Sequence, residues 1–332
     1  MRKTKIEKAD SISDLSISFA RVFIMNVFRD IQDIPAFPNP VITIGSFDGL
    51  HTGHQQILKQ LKDEAAAVNG SSVVITFFPH PKMILGKSGA PLQVLTTLEE
   101  KISLLAASGI DNLVVIPFTE SFAGLSAEDY ISDFLVRIFR PHTIILGYDH
   151  RFGKDRCGDY QLLESKAPEF GFVVKEIPAH VLDSITVSST SIRNTISQGD
   201  VTAANQLLGY HYFFSGTVVK GNQMGRKLGF PTANIQPADE SKLLPADGVY
   251  AVEITIKERK DTYRGMMNIG IRPTFNLHQR VIEVNIFELD EDIYGQTLTV
   301  YLKKRIRSEM KFTGPEALIK QLESDKENAL KD

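Results

Sequence analysis

Between residues 45 and 54 the chain reads GSFDGLHTGH, which sets three glycines, an aspartate and two histidines close together. Glycine tolerates positive φ and lets another group approach the backbone closely. Asp48 adds charge, and His51 and His54 add donors. The histidines are three apart, so both can face one way from the first turn of a helix. Glycines running G-x-x-x-G-x-x-x-G do not match the dinucleotide fingerprint G-x-G-x-x-G. A helix N-terminus still attracts anions through its free N–H groups and positive dipole end. Two histidines there could stabilise charge building on a phosphorus atom in its transition state. A metal site built on H-x-x-H would need further ligands.

Positioning such a turn requires a strand before it and a helix after it, and the flanks supply both. Val41, Ile42 and Ile44 read as a buried strand, and Ile57, Leu58 and Leu61 mark one face of a helix. Further strands are expected at 71–81, 111–118, 142–153 and 170–179, with helices at 97–110, 126–139 and 188–200. Ser126 and Asp129 have the spacing of an N-terminal cap. Apolar strands alternating with helices imply a doubly wound parallel sheet. Ligands of such sheets bind beyond the carboxyl ends of the strands. The polar clusters at 45–54, 79–81, 118–129, 147–153 and 188–193 all follow strands, so they can converge on one crevice.

The texture changes after about residue 210. YFFSGTVV, GVYAVEITIK, TYRGMMNIG, VIEVNIFEL and TLTVYLKKRIR alternate as strands, and GPEALIKQLESDKENAL follows as one helix. An antiparallel barrel with a terminal helix is expected. The domain reading is an extension at 1–24, a first domain at 25–200, a linker at 201–210 and a second domain at 211–332. Met25 opens a stretch that looks like a natural start, so residues 1–24 read as a mis-assigned upstream start or a species-specific arm, or else simply as a poorly ordered terminus.

Gly45, Phe47, Asp48, Gly49, His51, Gly53 and His54 together resemble the HxGH nucleotidyltransferase signature. TFFPHP, GYDHRFG and SSTSIR, in that order, narrow the resemblance to bacterial bifunctional riboflavin kinase/FAD synthetases, over residues 25 to about 326. This resemblance implies two ATP-dependent reactions on one chain. Riboflavin is phosphorylated to FMN by the C-terminal half, and AMP is transferred from ATP to FMN by the N-terminal half, giving FAD and pyrophosphate. It implies that His51 and His54 lie beside the α-phosphate. Ser189, Thr190 and Arg193 in SSTSIR would form a second phosphate clamp, since a guanidinium can grip phosphate through two bonds. Asp149 stands where the family carries an acidic or amide residue linked to nucleotide binding, while His150 replaces a phenylalanine common in relatives.

The second half carries GNQMGRKLGFPTANI. Gly221 to Lys227 lacks the spacing and the Ser/Thr of a Walker A loop. The segment resembles the flavokinase GFPTAN loop instead. By that resemblance Gly229, Thr232 and Asn234 meet ATP, and Thr232 and Asn234 hold Mg²⁺, which suits oxygen donors and shares substrate phosphates. Glu283 in VIEVNIF is the candidate general base for the riboflavin hydroxyl. The alternation of Ile282, Val284 and Ile286 also permits an ordinary outward-facing strand residue there.

Composition narrows the partners. The chain has 332 residues and a net charge of −3, which offers no broad electrostatic case for nucleic acid. Cys157 is the only cysteine, which fits a reducing cytoplasm. No apolar run reaches the roughly 18 residues of a membrane-spanning helix. The expected partners are riboflavin, FMN, ATP and FAD, with no membrane or nucleic acid, in a monomer or weak homo-oligomer.

Overall fold

The computed structural model describes residues 25–86, 91–147, 150–177, 187–221, 224–274 and 277–331. The expectations for residues 1–24 and for Asp149 lie outside them. The chain forms two compact units that divide between Ser189 and Thr190.

The first unit is built on a six-stranded sheet: β1 (Asn26–Phe28), β2 (Val41–Ile44), β3 (Ser72–Phe78), β4 (Asn112–Pro117), β5 (Thr143–Gly147) and β6 (Val173–Ile177). All neighbours pair in parallel, in the order β1-β4-β3-β2-β5-β6. The sequence reading finds five of these strands. β1 adds a sixth at the edge beside β4, and its three residues are too few to show a period. The central strands are apolar on both faces because helices cover both. Ile42, Ile44, Val73 and Ile75 face one core, and Val41, Val74, Leu113 and Ile145 face the other. The main helices are α1 (Thr52–Ala67), α2 (Leu98–Ala107) and α3 (Tyr160–Phe170). The expected helix at 126–139 is capped by Ser126 as foreseen, but from Tyr130 to Phe139 it winds as a π-helix. Chain order reverses at β2, whose successors β3 and β4 lie on one side and β5 and β6 on the other. Beyond the carboxyl ends of β2 and β5 lies the crevice where such sheets bind ligands.

The second unit opens with α4, which begins at the division (Ser189–Ser197), and α5 (Val201–Leu208). Its strands are β7 (Phe213–Val219), β8 (Ala233–Pro237), β9 (Gly248–Ile256), β10 (Thr262–Thr274), β11 (Leu277–Ile286) and β12 (Thr297–Arg307). They close into an antiparallel barrel in the order β10-β11-β8-β7-β12-β9. The strand that sequence reading misses is β8. It hides inside the GFPTAN segment, where a functional loop is read instead. Inward residues such as Phe214, Ile254, Ile269, Val284 and Val300 are fully buried. The terminal helix α6 (Pro315–Leu330) covers the outer face of β9 and β10. There Val249, Met266 and Phe287 pack with Phe230, Ile306 and Leu322. Asp325 of α6 is 0% exposed and takes two bonds from Arg307 Nε and one from Nη2. Among the described residues no helix is long and apolar enough to cross a membrane.

Candidate functional sites

The turn that leaves β2 is strained and braced. Phe47 has φ 45° and Leu50 φ 36°, a region that non-glycine residues rarely adopt, and Gly49 sits there at 82°. Such strain persists only where surroundings impose it. Here they do. The Gly45 N–H donates to Ile75 O at 3.0 Å, and the Gly49 N–H donates to Thr96 Oγ1 at 3.1 Å. Gly45 also lies close to the Phe47 ring, where a Cβ would come within 3.2 Å.

Asp48, which the family resemblance puts among the ATP- and phosphate-binding residues, is bonded to the protein backbone. Its carboxylate is 1% exposed and accepts from Leu95 N at 2.9 Å and from Thr96 N at 3.0 Å. A carboxylate bonded to backbone donors inside the protein fixes the loop, and its charge would repel a phosphate. These bonds brace the turn against the 95–96 segment.

His51 is the N-cap of α1, and its Nδ1 accepts the N–H of His54. That bond leaves the ring proton on Nε2 when the imidazole is neutral. The two rings stack, with centroids 3.7 Å and planes 18° apart. Phe47 meets His54 edge-on at 5.2 Å. His54 is held well below the usual histidine range, first by burial, then by His51 and by Lys101. Its Nδ1 is buried with no hydrogen-bond partner. A buried polar atom without a partner is uncommon in native proteins. Gly53 is buried between the histidines on α1.

Ser189 ties a second motif to this turn, since its Oγ donates to Asp48 O at 2.9 Å. Thr190 follows it exposed, and Arg193 is half-buried one helical turn later on α4, on the same face as Ser189.

Lys101 is the residue that sequence reading missed. In TLEEKISLL it looks like a solvated helix lysine. It is 6% exposed, and its Nζ donates to Ser46 O at 2.6 Å and Thr76 Oγ1 at 3.3 Å. Burial pulls its pKa down to about 8, against an opposing pull from Asp48. A single lysine carries no sequence signal that it is buried.

In the second unit, antiparallel register sets Glu283 opposite Asn234 on one side and Asn268 on the other. Glu283 faces away from the barrel interior, since its neighbours Ile282 and Val284 are the buried ones. The Thr232 hydroxyl donates to Glu283 Oε1 at 3.4 Å. Asn285 Nδ2 donates to Pro231 O at 2.6 Å and fastens the GFPTAN loop to β11. Gly221 has no room for a side chain, because a Cβ there would lie 2.1 Å from Asn234 Nδ2. Gly229 takes φ 81° in the open loop. The geometry gathers a hydroxyl, an amide and a carboxylate around one spot outside the barrel wall. Those are oxygen donors of the kind that suit Mg²⁺. Among the described residues no cluster of three or more His, Cys, Asp or Glu side chains could hold a metal alone.

Comparison with known proteins matches this two-part layout. Residues 34–191 match the family model described as FAD synthetase, and residues 208–332 match riboflavin kinase. A protein of Listeria monocytogenes named bifunctional riboflavin kinase/FMN adenylyltransferase is 38% identical over 291 residues, covering 87% of this chain and 91% of its own length. Its namesake in Escherichia coli K12 is 36% identical over 303 residues, covering 91% and 96%. A crystal structure titled as a macrolide-efflux protein from Streptococcus pneumoniae superposes with a TM-score of 0.82 at 32% identity, covering 93% of this chain and 99% of that one.

Proposed function

Because this chain belongs to the bifunctional riboflavin kinase/FMN adenylyltransferase family, we propose how its two sites perform the two reactions. The chain phosphorylates riboflavin to FMN and adenylylates FMN to FAD, with ATP as co-substrate in both. The motif-bearing segments fall in residues 25–200 and 211–332, joined by 201–210, and we assign adenylyl transfer and phosphorylation to them respectively. Both substrates and products are small cytoplasmic metabolites in this reading.

Adenylyl transfer needs no covalent enzyme intermediate. An FMN phosphate oxygen attacks the α-phosphorus of ATP in line, the bond to the β-phosphate oxygen breaks, and pyrophosphate leaves. The protein then has to align the reactants and stabilise the charge that develops. His51 donates from Nε2, the nitrogen left protonated by its cap bond. His54 stacks behind it as a neutral ring. The family resemblance assigns phosphate binding to Ser189, Thr190 and Arg193, and Gly45, Gly49 and Gly53 keep the approach clear. The observation that carries this reading is the capped, stacked histidine pair at the topological switch of the sheet.

In the kinase half Glu283 takes the proton from the riboflavin hydroxyl as that oxygen attacks the γ-phosphorus of ATP, the bond from the γ-phosphorus to the β–γ bridging oxygen breaks, and ADP leaves. Thr232 and Asn234 flank Glu283 and would hold Mg²⁺ together with the ATP phosphates. Bound there, Mg²⁺ would neutralise phosphate charge. Gly229 keeps the loop open to the nucleotide.

One assay tests the assignment. The purified chain is given riboflavin, ATP and Mg²⁺, and FMN and FAD are resolved by chromatography. FMN should appear first and FAD after it. Failure of His51→Ala to reduce FAD output would remove the 45–54 turn from adenylyl transfer.

A further inference from the structure

Lys101 is a buried cation. Among the described residues no carboxylate forms an ion pair with it, and its two bonds go to neutral oxygens. Asp48 lies close enough to be felt, but the Asp48 oxygens accept from the backbone at 95 and 96. A buried charge without a partner is costly and calls for a reason.

The reason is visible in what Lys101 holds. Its ammonium and the Thr76 hydroxyl both grip the Ser46 carbonyl, Thr76 at 3.3 Å. The peptide group is planar and trans, so the N–H of Phe47 points opposite to that carbonyl, away from Lys101. The Phe47 N–H has no hydrogen-bond partner among the described residues. Phe47 also has the strained φ of 45°. One peptide is therefore locked by its oxygen, polarised by a positive charge, and left with its donor unbonded among the described residues.

We propose that Lys101 is a positioning residue for adenylyl transfer, holding the Ser46 carbonyl inward so that the Phe47 N–H meets a phosphate oxygen of the nucleotide. This rests on the reading of the 45–54 turn as the adenylyl-transfer site. Preorganised backbone donors of this kind stabilise developing negative charge. The positive charge is part of the device. The titratable groups that act on Lys101 or feel it are Asp48 and His54 from the turn, and Glu100 precedes it on its own helix. Glu100 is bonded to the Thr97 N–H.

The charge is lost as pH rises through about 8. Between that value and 10.5 the unfolded chain keeps the proton and the native chain does not, so stability rises with pH there. Lysine 101 thus weakens the fold at neutral pH, and removing its charge should not lower the melting temperature. That separates function from structure.

The experiment compares the full-length wild type with Lys101→Met, Lys101→Arg and His51→Ala. FAD formation from FMN is measured from pH 7 to 10, with FMN formation from riboflavin and the thermal midpoint as controls. Lys101→Met should lower the kcat of FAD formation by about tenfold or more, with FMN formation and midpoint unchanged or the midpoint higher. Lys101→Arg should recover most of the rate and keep it above pH 8, where the wild type declines. Wild-type FAD formation in Lys101→Met, equal loss in Met and Arg variants, or a loss that comes with a lower midpoint would each overturn the proposal. A His51→Ala enzyme with full FAD formation would instead overturn the site assignment beneath it.

Discussion

The rings of His51 and His54 stack face to face, with centroids 3.7 Å apart, at the first turn of α1. Two stacked imidazolium ions at that distance would repel strongly. Burial, His51 and Lys101 all push His54 toward its neutral form. The pair therefore carries at most one proton charge at neutral pH.

That asymmetry has a stability consequence. The folded pKa of His54 lies below 6.5, its value when unfolded. As pH falls below 6.5 the unfolded chain binds a proton that the native chain refuses, so stability falls, by up to about 1.4 kcal/mol per pH unit. Calorimetry of the full chain at pH 7.5 and 5 should show this loss, and His54→Gln should lose less. An identical acid response in both proteins would place the proton elsewhere.

Glu283→Gln keeps the shape and hydrogen bonding of the side chain and removes its basicity. FMN formation should fall by roughly 10²- to 10⁴-fold, while FAD formation from supplied FMN continues. Riboflavin and ATP affinities should change little, because the proton matters mainly in the transition state. Near-normal FMN production would leave Thr232 and Asn234 as the source of catalysis.

Gly221→Ala places a methyl group 2.1 Å from the unperturbed position of Asn234 Nδ2. Asn234 must move, and with it the oxygen set facing Glu283. FMN formation should drop by about tenfold or more, with FAD formation from FMN as the intact control. A crystal structure of the variant with Asn234 unmoved would contradict this account.

Asp325→Ala removes the carboxylate that pairs with Arg307 and leaves that guanidinium half-buried beside α6. Removing one partner of a buried pair costs about 3–5 kcal/mol. The barrel unit should melt earlier, seen as a separate low-temperature transition together with loss of FMN formation. Unchanged melting would show that α6 is held by its apolar face alone.

Much of this protein was legible from the chain alone. Alternating apolar strands and helices up to about residue 200, and alternating strands after 210, gave both fold classes, because hydrophobic period is a local property. The motifs singled out His51, His54, Arg193, Thr232, Asn234 and Glu283 as the residues proposed for the chemistry, because chemistry restricts residue type and spacing. Tertiary structure decided the rest. It added β1 and β8, each too short or too loop-like to announce a period. It showed a π-winding at 130–139, which ten residues of apolar spacing cannot distinguish from an α-helix. It bonded the Asp48 carboxylate to the 95–96 backbone, and it buried Lys101 under Ser46, fifty-five residues away in sequence. Those contacts depend on which strands and helices become neighbours, and a lone aspartate or lysine carries no pattern that records its distant partner.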